Sequence, residues 1–140
     1  MGYKNARAKA TDGYGAGSEN YVAANSLDAS VGTLISLSGG YAAASGAGTD
    51  IVGVSVTSKV FAADNQTVAM DKVTINPTKS ETVYEMPITG GTITAAKVGK
   101  FYNITATQVV DGATESATVG KLQLVKFISA TRGQFKIVNK

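Results

Sequence analysis

Of the 140 residues, 16 are Thr, 15 Val and 8 Ile, so 39 side chains branch at Cβ, against only 5 Leu. Branched side chains lose χ1 freedom in a helix and fit the pleated surface of a sheet. The balance predicts an all-β chain. Sixteen Gly and 20 Ala with no Trp point to small-residue turns and thin layers, not to one large aromatic core. A chain of this length makes one domain and buries about two-thirds of its unfolded surface, so it holds a core without covalent staples. The expected architecture is a small β-barrel or β-sandwich of about seven or eight short strands with an extended N-terminal arm.

The chain has neither cysteine nor histidine. That excludes disulfide frameworks, Cys/His zinc sites, thiol nucleophiles and any mechanism that uses imidazole as base or ligand. The formal charge is +3, from 13 basic and 10 acidic side chains, well short of a nucleic-acid-binding signature. Charged residues make up 16%, below the roughly 25% usual for globular domains, so much of the surface must be Thr, Ser, Asn, Gly and Ala. Such a surface tolerates association. No apolar run reaches the roughly 18 residues that cross a bilayer, and the first residues lack the apolar core of a secretory signal, which predicts a soluble chain made in the cytoplasm.

Short apolar and alternating segments predict strands at Thr33–Leu37, Ile51–Ser58, Thr67–Ile75, Thr82–Ile88, Thr92–Ala96, Lys100–Val110, Lys121–Ser129 and Gln134–Asn139. Within the second of these, Val52, Val54 and Val56 should share one face. Leu122 and Leu124 fall on the opposite face from Val125 and Phe127, which calls for a bulge or a strand covered on both sides. Gly90-Gly91 and Asp111-Gly112 read as turns, the last two strands as a hairpin, and Pro77 and Pro87 as strand ends, where a missing N–H costs least. The low-complexity stretch Gly39–Gly48 reads as a loop.

Two regions follow: an arm over residues 1–29 and a single β domain over 30–140. Residues 1–20 show neither helical nor strand periodicity. An arm that orders on a partner would use its large and charged side chains, which makes Tyr3, Lys4, Arg7, Lys9, Tyr14 and Tyr21 the candidate interface residues; the bland alternative is a frayed terminus. Charge is uneven along the chain. Residues 21–96 hold 3 basic and 6 acidic groups, and residues 97–140 hold 7 basic and 2 acidic, a pattern suited to contact between copies or with a charged partner unless the two halves interleave and cancel.

No arrangement points to catalysis, a cofactor or a metal. Gly13, Gly15 and Gly17 lack the strand before and helix after that a dinucleotide loop requires, and Ser18 stands where its last glycine would be. Glu81 and Glu85 fit a solvated rim better than a glycosidase pair, and Asp64-Asn65 and Asp111 fit turns better than a cation loop. Lys121, Lys126, Arg132, Lys136 and Lys140 surround the final hairpin with Phe127 and Phe135. The favoured reading puts the aromatics in the core and the lysines on an edge they protect; the alternative is a small barrel that stacks bases.

The Gly/Ala-rich polar arm, the Cys-free and His-free β domain, and the stretches IVGVSVTSKVFAADNQTVAM and KVGKFYNITATQVVDG resemble the small decoration, or head-stabilisation, proteins of tailed-bacteriophage capsids. The resemblance lies in composition and cadence and covers most of the chain. It implies a non-enzymatic virion protein without cofactors, bound outside the capsid. Its partners would be the major capsid protein and further copies of itself, as a homotrimer or other homo-oligomer, with no nucleic acid and no membrane. The arm would then lie at the capsid interface. The competing expectation is a carbohydrate-binding, adhesin or fibre-attachment module of a virion, which would need an exposed aromatic platform.

Overall fold

The computed structural model describes residues 9–10, 18–79 and 81–140, and for Lys9 and Ala10 the backbone alone. The chain is all-β, as its branched residues predict. Strands run in the order β1 (Lys9–Ala10), β2 (Glu19–Val22), β3 (Asp28–Ala29), β4 (Leu34–Ser38), β5 (Tyr41–Ala44), β6 (Gly53–Ser55), β7 (Lys59–Val60), β8 (Lys72–Pro77), β9 (Val83–Thr89), β10 (Phe101–Ile104), β11 (Val110–Ser116), β12 (Leu122–Ser129) and β13 (Arg132–Ile137).

Five strands close on themselves in the order β9-β11-β10-β12-β13, with β13 pairing back onto β9 from Arg132↔Pro87 to Lys136↔Val83. Closure removes most open edges. Alternation supplies the filling: Tyr84, Met86, Ile88, Tyr102, Ile104, Val110, Leu122, Leu124, Phe135 and Ile137 point inward and are buried. Register shifts between Leu124 and Lys126 and between Phe127 and Ser129 each insert a residue in β12. The first insertion returns Phe127 to the face of Leu122 and Leu124, so it packs on the core as a strict period of two would forbid.

The second sheet, β2-β8-β6-β4-β5, also curls toward closure, but its outer strands meet through an isolated bridge, Ala23↔Ala42, and the bond from Ala24 N–H to the Ala42 carbonyl (2.8 Å), without a ladder among the described residues. Its core is smaller: Ala23, Leu27, Ala29, Ile35, Ala42, Phe61, Val73 and Ile75, with Tyr21 and Val52 against it. β4 is buried on both faces, sending Leu34 into the barrel core and Ile35 into the second core. β3 and β7 form a separate two-stranded ribbon at one end.

Two carboxamides join the layers. Gln108, buried in the loop before β11, accepts from the Leu34 N–H (2.6 Å) and donates to the Leu34 carbonyl (2.9 Å) and the Ser45 carbonyl (3.0 Å). Asn139 accepts from the Ile51 N–H (2.8 Å) and donates to the Ile51 carbonyl (2.9 Å). Each amide thus pairs with the second layer as a neighbouring strand would. Both residues sit at positive φ, 68° and 51°, a strained backbone for a side chain, which the bonds to Leu34 and Ile51 hold in place.

Several sequence expectations are corrected. Residues 18–29, placed with the arm, belong to the second layer: β2 pairs with β8, and Ala23, Leu27 and Ala29 are buried. Gly39–Gly48 is not a loop throughout. Gly39 and Gly40, at φ 59° and 89°, make a tight hairpin turn between Ser38 and Tyr41, and the alanines behind them form β5. Thr92–Ala96 is no strand; Ile93 plugs the barrel core and Ala95–Lys97 form one 3-10 turn, since two alanines and a lysine offer little to a sheet. The stretch expected as one strand at 100–110 breaks at the Gln108 loop, and Thr67–Met70 belongs to a turn before β8.

Val52 and Val54 do not share a face. Val54, paired with Leu34, faces the barrel, whereas Val52 packs on the second core. Asp111-Gly112 lies inside β11. Pro87 stands within β9, not at its end. The Ile88 N–H donates to Thr131 on the β13 side, so alternation turns position 87 toward the opposite edge, between the registers of β1 and β11, where a missing donor breaks no ladder.

Candidate interaction surfaces

Among the described residues, the arm meets the barrel at β9. β1 adds antiparallel to β9, Lys9 opposite Glu85 and Ala10 opposite Tyr84. The same edge of β9 carries β11 only at Ile88 and Thr89, in parallel. The lower part of that edge is therefore a seam in the barrel wall, and the leading peptide supplies its partner strand. Of the candidate arm residues, Tyr3, Lys4, Arg7 and Tyr14 lie outside the described residues, and Lys9 is placed on this seam by its backbone. Tyr21 belongs to another surface: it lies in β2, half-buried against the second core, and its hydroxyl donates to Glu19 (2.7 Å). That bond, then desolvation and the nearby negative charge, raises the Tyr21 phenol above its ordinary range.

The uneven charge of the sequence maps onto the layers and does not cancel by interleaving. Residues 18–81, which build the second layer, carry six acidic and three basic side chains; residues 82–140, which build the barrel, carry three acidic and seven basic. The Lys121–Asp50 ion pair (2.8 Å) crosses between them, whereas Lys59–Asp71, Lys97–Glu115 and Arg132–Glu85 each stay within a layer. Three of the barrel's seven basic side chains, Lys126, Arg132 and Lys136, stand on the outer face of β9, β13 and β12. Cross-strand rows there read Val83, Lys136, Gln123; then Glu85, Gln134, Lys126; then Pro87, Arg132, Ser129. Phe135 and Phe127 point the other way, into the barrel, so they offer bases no stacking platform. The Lys140 ammonium lies 5.2 Å from the centre of the buried Phe101 ring in β10.

The second layer ends in a different surface. β7 and the turn after it expose Val60 (62%), Val68 (69%) and Met70 (52%). These side chains stand on a tightly bonded scaffold. Buried Asn65 donates to the Ala23 carbonyl (2.8 Å) and the Asp71 carbonyl (3.0 Å) and accepts from the Asp71 N–H (3.0 Å). Asn25 and Gln66 exchange backbone-to-side-chain bonds of 3.1 and 2.8 Å. Met70 takes a φ of 53°, and its N–H donates to the Asn65 carbonyl (2.7 Å). The sequence offers one signal for this surface, the apolar Val68-Ala69-Met70 one residue after the turn-forming Asp64-Asn65-Gln66.

Glu85 pairs with Arg132 (2.8 Å) on the outer barrel face, and Asp111 accepts from the Ala113 N–H (3.0 Å); each carboxylate thus has a local structural task. Among the described residues no group of three acidic side chains is arranged to hold a metal ion. The buried Tyr102 packs edge-on against Phe135, ring centres 6.3 Å apart, and its hydroxyl has no hydrogen-bond partner. Burial, with a smaller contribution from the Glu115 charge, pushes its phenol up to about 12. No protein family and no curated protein matches the chain.

Proposed function

We propose that this chain is a structural virion protein that binds the outer surface of an assembled bacteriophage capsid and stabilises it by bridging major capsid protein subunits, without catalysis. The observation that carries this reading is the seam on β9. A short arm segment already acts there as an added strand, which gives affinity through main-chain hydrogen bonds and needs no chemical site. A peptide that completes one sheet edge has the chemistry to complete an edge on a shell subunit. Many such weak contacts on a shared lattice act at high effective concentration, and binding only the assembled shell stabilises that state by mass action. The polar, Thr-rich and Ala-rich surface and the segregated charge supply the remaining contact area.

The test is cosedimentation with assembled shells of the encoding phage, comparing the full chain with one lacking residues 1–17. This cut leaves β2 and its pairing with β8 in place. The full chain should pellet with shells and the shortened one should stay in solution with its fold intact. Failure of the full chain to pellet overturns the capsid reading. Equal pelleting of both overturns the role given to the arm alone.

A further inference from the structure

We propose that the joint between the two layers binds a sodium-sized monovalent cation through neutral oxygens of Ser36, Ser45, Thr49, Gly46 and Asp50. The proposal is independent of the capsid reading and is tested without any shell.

The oxygens meet where β4 and the chain after β5 return to the joint. Ser36 Oγ lies 2.6 Å from Ser45 Oγ and 3.2 Å from Thr49 Oγ1, and the last two are 3.2 Å apart, so three hydroxyl oxygens form a closed triangle. Two carbonyls lie against it, that of Asp50 at 2.5 Å from Ser36 Oγ and that of Gly46 at 2.9 Å from Thr49 Oγ1. Each hydroxyl brings a single proton. If Ser36 gives its proton to Asp50 and Thr49 gives its own to Gly46, the Ser45 proton alone is left for the three sides of the triangle. Two sides then set lone pair against lone pair, and any other assignment moves the deficit to a carbonyl. The Gly46 N–H donates to Thr49 Oγ1 (3.1 Å) but fills none of these oxygen–oxygen approaches. A cation seated on the triangle takes up the surplus lone pairs together, as ringed carbonyl oxygens replace the hydration shell of an alkali ion in a channel.

The surroundings fit such an ion. Ser36 and Ser45 are buried and Thr49 is exposed, so the oxygens are dry on one side and reachable from solvent on the other. They are also held in place beforehand. Gln108 grips the Ser45 carbonyl (3.0 Å), and Asn139 grips the N–H and carbonyl of Ile51, the residue after Asp50 (2.8 and 2.9 Å). The ion thus sits between the two carboxamides that join the layers. Calcium draws mainly on carboxylates, and the Asp50 carboxylate beside the site is paired with Lys121 (2.8 Å), which leaves the neighbourhood neutral. Uncharged oxygens suit a single charge, and separations of 2.5–3.2 Å suit a small ion better than potassium.

Thermal melts of the full chain at constant ionic strength, with choline chloride exchanged stepwise for sodium chloride, test the site. An ion that binds the folded chain alone raises the folded-to-unfolded ratio about tenfold at about ten times its dissociation constant. Tm should therefore climb with sodium and level off, and climb less with potassium. The sodium NMR line, broadened by exchange onto the folded protein, reads binding without heating. Thr49→Val removes one ligand oxygen from an exposed side chain; it should fold, lose the sodium-dependent part of Tm and leave the sodium line narrow. A wild-type Tm that is the same in sodium as in choline means that water or hydrogen bonds alone fill the triangle, and overturns the proposal. Equal line broadening by the wild type and Thr49→Val also overturns it, because sodium then binds elsewhere.

Discussion

The barrel and the second layer are built from the same kinds of residue and solve closure differently. The barrel closes through a ladder of paired residues between β13 and β9 and fills itself with Tyr102, Phe135, Met86, Leu122, Leu124, Ile88, Ile104 and Ile137. The second layer closes through one alanine bridge over a core with three alanines and a single phenylalanine. Apolar burial contributes about 25 cal/mol per Å² of apolar area, so a core of alanines holds its strands weakly. The difference is made up by carboxamides: Asn65, Asn25 and Gln66 inside the layer, Gln108 and Asn139 between it and the barrel. Small side chains make a thin sheet, and hydrogen-bonded amides keep it in register.

Substitutions can set the two strategies against each other. Phe135→Ala should cost the most, about 3–5 kcal/mol of unfolding free energy in denaturant titration, because it empties the centre of the barrel and removes the edge-on contact with Tyr102. Gln108→Ala should cost about 3 kcal/mol, since it strands the buried Leu34 N–H and takes a donor from the Ser45 and Leu34 carbonyls, the latter keeping only the Ser45 N–H. Amide hydrogen exchange should accelerate in β4 and β6 well before it does in β12 and β13. Uniform acceleration through both layers instead means that the amide does not join two separable units.

The smallest effect is at Tyr102. Its phenol ionises near 10 in the unfolded chain and at about 12 in the folded one, so the unfolded state loses its proton first. Stability is full below about pH 10 and falls by about 2 kcal/mol as pH rises to 12. Tyr102→Phe should abolish this fall and raise stability at neutral pH by about 1 kcal/mol, because it deletes a buried hydroxyl that bonds to nothing. Thermal melts at pH 7 and 11 compare the two proteins directly.

Strand segments with branched residues in alternation, such as those that became β9, β12 and β13, are readable in the sequence because burial on one face dictates the pattern. The same logic misses β5, whose alanines carry no alternation of size, and misassigns Thr92–Ala96, where one buried isoleucine stands among residues indifferent to a sheet. The clamps are invisible in the sequence for a different reason. Gln108 and Asn139 bind backbone 74 and 88 positions away, and main-chain groups carry no sequence signal of what they will meet. Of the candidate surfaces, the basic hairpin is evident from its five cations, whereas its division into an inward aromatic and an outward basic side needed the bulges in β12. The acidic and basic halves of the chain kept their separation because each half builds mostly its own layer.

The seam along β9 has a consequence for how such a chain can change over generations. A groove that recognises main-chain amides and carbonyls is indifferent to most side chains laid along it, with proline the main exception. Positions 9 and 10 can therefore exchange one amino acid for another at little cost while their strand still fits, and selection on them is left to whatever else they touch.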